Sequence, residues 1–272
     1  MFFIFGSPRS GTTLLAQSLS SHKDIVIPHE TDFIIPMAFI FDRIRVPHTG
    51  KEIIGKLITQ SVAFSTSIGE YLTADDVFKI VAACKYHPAA ILTSLYSAIS
   101  RVANAIIAGD KSPNDLLFLR MLIKGNGISP DMKIIHIIRD VRDVMLSLNR
   151  VGWGTDFDLY FPRFWSNSNL YLNTLYKTNS SQYILVRYED MVREPIEHFT
   201  KICSFLGTSF QSKMLDSRNF HSRYADMPHH SKLFAPISSS NIGEYKNVLS
   251  PETLRNYERQ AYEALGVFGY IA

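Results

Sequence analysis

The sequence predicts an α/β fold with a parallel sheet flanked by helices, and three observations carry that expectation. Phe2–Phe5, Lys133–Ile138 and Tyr183–Val186 are short apolar runs that read as buried strands. Each is followed by a helical pattern: Thr12–Leu19, Val141–Leu148, and the amphipathic set Ile196, Phe199, Ile202, Cys203 and Leu206. Strands that alternate with helices need crossover connections, which place helices over both faces of a parallel sheet. Ligands of such sheets bind beyond the carboxyl ends of the strands.

Between the first strand and the first helix lies Gly6-Ser7-Pro8-Arg9-Ser10-Gly11-Thr12-Thr13. Small residues let backbone N–H groups close around an oxyanion, and the helix dipole adds positive charge, so this loop predicts a phosphate or sulfate site. Nucleotide triphosphatases use G-x-x-x-x-G-K-[ST] here. Gly6 and Gly11 keep that spacing, but Thr12 stands where the Lys would be, and the loop's cation is Arg9. A three-layer P-loop-type fold is expected, without nucleotide triphosphate hydrolysis.

A second short strand ending near Ile27 would deliver Glu30 to the carboxyl edge of the sheet. Residues 37–108 read as mostly helical, with apolar faces on Ile53, Ile54, Leu57 and Ile58 and on Ile91, Leu92, Leu95, Ile99 and Val102. Thr73-Ala74-Asp75-Asp76 has the form of a capped helix start. Gly207 is placed to end the helix that begins near Pro195, and Ser250-Pro251-Glu252 to begin the last one.

The 272 residues fall within the range of a single α/β domain, 1–272, and a hydrophobic content of 46% with 18 Phe and 13 Tyr supports a sizeable core. A formal charge of +3 with scattered basic residues argues against nucleic acid as the main partner. Cys84 and Cys203 lie in helix-like surroundings and read as reduced core residues. His221, His229 and His230 are close in sequence but have no evident fourth ligand, so they read as a polar loop, and no metal is expected. Phe33–Phe41 is far shorter than the roughly 20 residues of a membrane helix. With the first strand beginning almost at Met1, a soluble cytoplasmic protein without a membrane span is the expectation.

The loop G-S-P-R-S-G-T-T-L resembles the 5′-phosphosulfate loop of sulfotransferases that use 3′-phosphoadenosine 5′-phosphosulfate (PAPS). Arg139 at a strand end, with Ser147 eight residues on, resembles the element of that family that binds the cofactor's 3′-phosphate, and a guanidinium fork with a hydroxyl suits that group. Val186-Arg187-Tyr188-Glu189-Asp190-Met191-Val192 and Ile202–Gly207 are similar to a further stretch of the superfamily; Tyr188 either faces the nucleotide or packs at the rim of the core. Ser238–Asn247 resembles the family's C-terminal loop, with Tyr245 in place of Trp and Lys246 as its phosphate contact, the alternative being a Ser-rich loop before the last helix.

The segment Pro28-His29-Glu30-Thr31-Asp32 is similar to the E-E-T-R segment of the tyrosylprotein-sulfotransferase-like branch. That maps the branch's catalytic base onto Glu30, with His29 the rival base, and puts Asp32 where the branch has an Arg that engages acidic peptides. Gly109-Asp110-Lys111-Ser112-Pro113 resembles the branch's N-K-D-P segment and maps its leaving-group lysine onto Lys111. The resemblance implies sulfuryl transfer from PAPS to an acceptor hydroxyl, releasing adenosine 3′,5′-bisphosphate without a metal. Glu30 would take the proton, while Lys111 and Arg9 would stabilise the leaving oxygen. Ser7, Pro8, Arg9, Ser10, Gly11, Thr12, Thr13, Arg139, Ser147, Tyr188 and Lys246 would hold the nucleotide.

The acceptor is left open among small molecules, glycans and peptides, as is a homodimer. Residues 37–108 are expected to form a helical acceptor-binding insertion, together with the aromatic-rich stretch containing Trp153, Phe157, Tyr160, Phe161, Phe164, Trp165, Tyr171 and Tyr176. Two other functions stay in view: a P-loop kinase or nucleotide hydrolase, in which Asp140 would hold Mg²⁺, and a non-catalytic nucleotide-binding relative.

Overall fold

The structure, a computed structural model, describes residues 1–116, 118–153, 159–225 and 233–271. Phe157, His229 and His230, named above, lie outside the described residues. Five strands, β1 (Phe2–Phe5), β2 (Ile25–Val26), β3 (Ile107–Lys111), β4 (Lys133–Ile138) and β5 (Tyr183–Arg187), form a parallel sheet in the order β2-β3-β1-β4-β5. The helices are α1 (Thr12–Ser20), α2 (Ile34–Arg43), α3 (Pro47–Thr59), α4 (Ala74–Ala83), α5 (Pro88–Val102) and α6 (Leu119–Lys124), then α7 (Val141–Arg150), α8 (Phe161–Tyr176), α9 (Tyr188–Arg193), α10 (Pro195–Leu206), α11 (Tyr245–Val248) and α12 (Pro251–Val267). Among the described residues no helix is long and apolar enough to cross a membrane.

The chain divides into two compact units: residues 1–5 with 19–134, and residues 6–18 with 135–272. In the first, all four residues of β1 are buried, and β1 pairs in parallel with β3, Phe3 opposite Asp110 and Ile4 opposite Lys111. β2 pairs with the other edge of β3, Val26 opposite Ala108. The chain leaving β2 therefore runs alongside the carboxyl end of β3. Four of the unit's helices fall in the stretch that reads as helical. α4 begins with the capping box expected of Thr73 and Asp76, and α5 buries Ile91, Leu92, Leu95, Tyr96 and Ile99. Cys84 departs from expectation: it ends α4 as its C-cap, half-buried rather than in the core.

In the second unit α7, α8 and α12 enclose a core built on Val144, Met145, Trp165, Tyr257, Ala261 and Phe268. α10 ends at Gly207, whose φ of 87° is the left-handed conformation that closes a helix at least cost for glycine. Ser250 caps α12 by accepting the Thr253 N–H at 3.1 Å. Tyr188 opens α9 rather than ending the strand, because Glu189 and Asp190 behind it place two carboxylates in a first helical turn.

His136 on β4 is fully buried. Its Nε2 meets the Asn169 Oδ1 at 2.7 Å, and its Nδ1 meets the Tyr183 hydroxyl at 2.7 Å. An amide oxygen only accepts, so Nε2 donates to Asn169, while the Tyr183 hydroxyl beside Nδ1 also reaches the Asn173 Oδ1 at 3.4 Å. Burial lowers its pKa to about 4, opposed by the Asn169 bond. The unfolded ring protonates first, so its stabilising contribution is complete above its ordinary pKa near 6.5 and is lost as the pH falls toward 4. Between pH 7 and pH 5 this ring should cost about 2 kcal/mol of unfolding free energy. Urea denaturation at both pH values checks this, because the loss should shrink by that amount in His136→Gln.

Candidate active site

Two clusters of functional side chains stand out, one in each unit. In the second unit the chain turns through Gly6–Gly11 into α1. A Cβ on Gly11, at a φ of 93°, would come within 2.5 Å of the Tyr188 ring. Arg9 takes a φ of 67°, a left-handed conformation that costs a non-glycine residue about 1 kcal/mol or more. This turn places the Arg9 Nε in a 3.0 Å hydrogen bond to the Ser147 hydroxyl on α7.

Arg139, just past the end of β4, donates to the Arg9 carbonyl at 3.2 Å and to the Asn241 carbonyl at 3.1 Å, and its guanidinium lies 4.6 Å from the centroid of the Tyr188 ring. Its Nε is buried without a hydrogen-bond partner. Burial and then the Arg139 charge lower the Arg9 pKa from its ordinary value, while burial raises that of Tyr188. Two guanidinium groups thus share one half-buried place.

They line a cavity of about 610 Å³ together with Gly11, Thr12, Thr13, Ser147 and Tyr188. That volume suits a nucleotide-sized ligand. Seven of the residues expected to bind a nucleotide are therefore brought together. Ser7, Pro8 and Ser10 are not among the lining residues; Ser7 and Ser10 are buried beneath the turn, joined hydroxyl to hydroxyl. Lys246 does not line the cavity either: it is exposed, its ammonium 6.0 Å from the Tyr245 ring centroid.

Sequence reasoning missed three residues here. Arg150 lines the cavity, its guanidinium paired with both Glu244 oxygens at 2.6 and 2.7 Å. Asp143, also a lining residue, accepts the Gly243 N–H at 2.7 Å and the Tyr245 N–H at 3.1 Å, which fixes the turn that ends the Ser-rich segment. Asn241 contributes the carbonyl that Arg139 meets. Asp140, the alternative Mg²⁺ ligand, is instead held by Arg142, with Nε at 2.9 Å and Nη2 at 2.7 Å.

The first unit holds the other cluster. Glu30 follows β2 and pairs with the ammonium of Lys111 at the end of β3. The Lys111 side chain is only 1% exposed, so its charge requires this partner, whereas the Glu30 side chain is 40% exposed. Asp110 is buried and accepts from the Tyr96 and Thr31 hydroxyls, the latter at 2.9 Å. Asp115 is buried too, and its Oδ2 has no hydrogen-bond partner. Burial raises the pKa of both acids, and for Asp115 the nearby Asp110 and Glu30 charges raise it further. His29 is half-buried.

A family model described as "Sulfotransferase family" matches residues 2–212. The chain belongs to the sulfotransferase family. A candidate protein-tyrosine sulfotransferase of Caenorhabditis briggsae is 25% identical over 281 residues, spanning 99% of this chain and 89% of that protein. The sulfotransferase domain of the Synechococcus PCC 7002 olefin synthase shares the fold with a TM-score of 0.64, at 24% identity over 96% of this chain and 94% of its own. The sulfotransferase domain from the curacin biosynthetic pathway does so at 0.61, with 21% identity and coverage of 95% and 96%.

For a sulfotransferase, paired guanidinium groups with a buried, unpartnered N–H suit a multiply charged anion. Inorganic pyrophosphate at about a hundredfold excess over its dissociation constant should raise the thermal midpoint by roughly 5 °C. Arg139→Ala should lose most of that rise, as differential scanning fluorimetry would show.

Proposed function

We propose that this sulfotransferase moves a sulfuryl group from PAPS to an acceptor hydroxyl and releases adenosine 3′,5′-bisphosphate. The observation that supports this reading best is Arg139, whose buried Nε lacks a partner beside Arg9 and Ser147 in a nucleotide-sized cavity. Guanidinium forks match phosphate geometry, and Tyr188 offers a flat apolar face with a polar tip. PAPS would supply a sulfuryl group activated by its bond to phosphate. Arg139 and Ser147 would bind the 3′-phosphate, and the loop Ser7–Thr13 with Arg9 the 5′-phosphosulfate end.

The chemical roles fall to Glu30 and Lys111. The acceptor oxygen bonds to sulfur as sulfur's bond to the bridging phosphate oxygen breaks. Glu30 takes the acceptor proton, and the Lys111 ammonium offsets the charge left on the departing oxygen. Their ion pair suits a resting state in which the base is ionised and the lysine charged. The C. briggsae relative's name makes a tyrosine hydroxyl the first acceptor to test. Asp32, exposed where the tyrosylprotein branch has Arg, would repel acidic flanks, so a neutral or basic tyrosine peptide is the better probe.

Calorimetry and turnover test the assignment separately. Adenosine 3′,5′-bisphosphate should bind more tightly than ATP with Mg²⁺. Ser147→Ala should weaken it about fivefold, the worth of one neutral hydrogen bond. Glu30→Gln should lower turnover by about 10²–10⁴ with bisphosphate affinity unchanged. Normal turnover in Glu30→Gln with loss in His29→Ala would move the base to His29.

A further inference from the structure

We propose that Thr31, held by Asp110 and Ser112, is the positioning residue that sets Glu30 against Lys111. Glu30 lies outside any helix or strand, with its carboxylate partly in solvent, and such a side chain does not place itself. Its neighbour does the placing. The Thr31 N–H donates to the Ser112 hydroxyl at 3.3 Å, and that hydroxyl donates to the Thr31 carbonyl at 3.0 Å. The Thr31 hydroxyl donates to the Asp110 Oδ2 at 2.9 Å. Thr31, Asp110 and Ser112 are all buried, so these bonds form away from competing water.

The pattern is a two-by-three register. Consecutive residues Glu30 and Thr31 meet Lys111 and its two neighbours, Asp110 and Ser112, so the ion pair and the buried anchor share one stretch of backbone on each side. The anchor is itself fixed. Asp110 sits on β3 opposite Phe3 of β1, and its carboxylate also accepts from Tyr96, a fully buried residue of α5. Asp110 accepts from the Tyr96 and Thr31 hydroxyls, while the ammonium of the adjacent Lys111 pairs with Glu30. Removing the Thr31 hydroxyl deprives the Asp110 carboxylate of a donor and leaves the Ser112 hydroxyl alone, among these bonds, to hold the backbone beside Glu30, which loosens it. A loose general base loses catalysis steeply, since a displacement of about 1 Å can cost on the order of a hundredfold in rate.

This inference rests on the reading of Glu30 as the base, and the experiment separates the two. Sulfuryl transfer from radiolabelled PAPS to a neutral tyrosine peptide and to 2-naphthol is measured for the wild type, Thr31→Val, Thr31→Ser and Glu30→Gln. In Thr31→Val, kcat should fall about 10- to 100-fold with the KM for PAPS and the affinity for adenosine 3′,5′-bisphosphate unchanged. Thr31→Ser, which keeps the hydroxyl, should restore kcat to within about threefold of the wild type. Hydrogen exchange of residues 28–33 should rise in Thr31→Val alone, a readout that needs no acceptor. Unchanged kcat in Thr31→Val while Glu30→Gln is inactive overturns the positioning role and leaves the base in place. A loss in Thr31→Ser as large as in Thr31→Val also overturns it. Full activity in Glu30→Gln overturns both.

Discussion

Two guanidinium groups confined to one half-buried cavity are the constraint on which the second unit is organised. Arg9 and Arg139 repel each other, yet the fold spends a left-handed backbone at Arg9 to bring them together. Ser147 offers Arg9 its hydroxyl, and Arg139 meets the Arg9 and Asn241 carbonyls and the Tyr188 ring. The neighbouring carboxylates are engaged in other bonds, Asp140 with Arg142, Glu244 with Arg150, and Asp143 with two backbone N–H groups.

The first unit shows the opposite sign. One buried ammonium, Lys111, lies among Glu30, Asp110 and Asp115. Burial raises the pKa of both aspartic acids, and the Asp110 and Glu30 charges raise that of Asp115 further. Glu30, the carboxylate most open to solvent, is the one paired with the lysine. In the proposed transfer, Glu30 would take the acceptor proton and Lys111 would offset the developing charge.

Much of the fold was legible in the sequence because its signals are local. Apolar runs of four to six residues gave β1, β4 and β5, whereas Ile107–Lys111 of β3 carries no such run, and capping at Thr73, Gly207 and Ser250 gave helix ends where the structure has them. The Arg9, Arg139 and Ser147 set was legible through its resemblance to the cofactor-binding elements of sulfotransferases, and the structure brings these three side chains together. The residues that went unseen act across long sequence separations. Asp143 meets backbone 100 and 102 residues away, and Arg150 meets Glu244 94 residues away, which no local pattern encodes. Thr31 and Asp110 stood inside motifs that were noticed, but their bond joins positions 79 residues apart through the pairing of β2 with β3. Lys246 was read from a motif whose backbone turn is present, while its side chain does not line the cavity.

The central claim is that Arg139 recognises the 3′-phosphate of the donor nucleotide, and a double-mutant cycle in ligand and protein tests it most directly. Dissociation constants for adenosine 3′,5′-bisphosphate and adenosine 5′-phosphate are measured by calorimetry on the wild type and on Arg139→Ala. In the wild type, removing the 3′-phosphate should weaken binding about 10- to 100-fold, the worth of a charge-assisted pair. In Arg139→Ala the two nucleotides should bind within about threefold of each other, because the partner of the missing phosphate is gone. A preference for the bisphosphate that survives intact in Arg139→Ala would contradict the account.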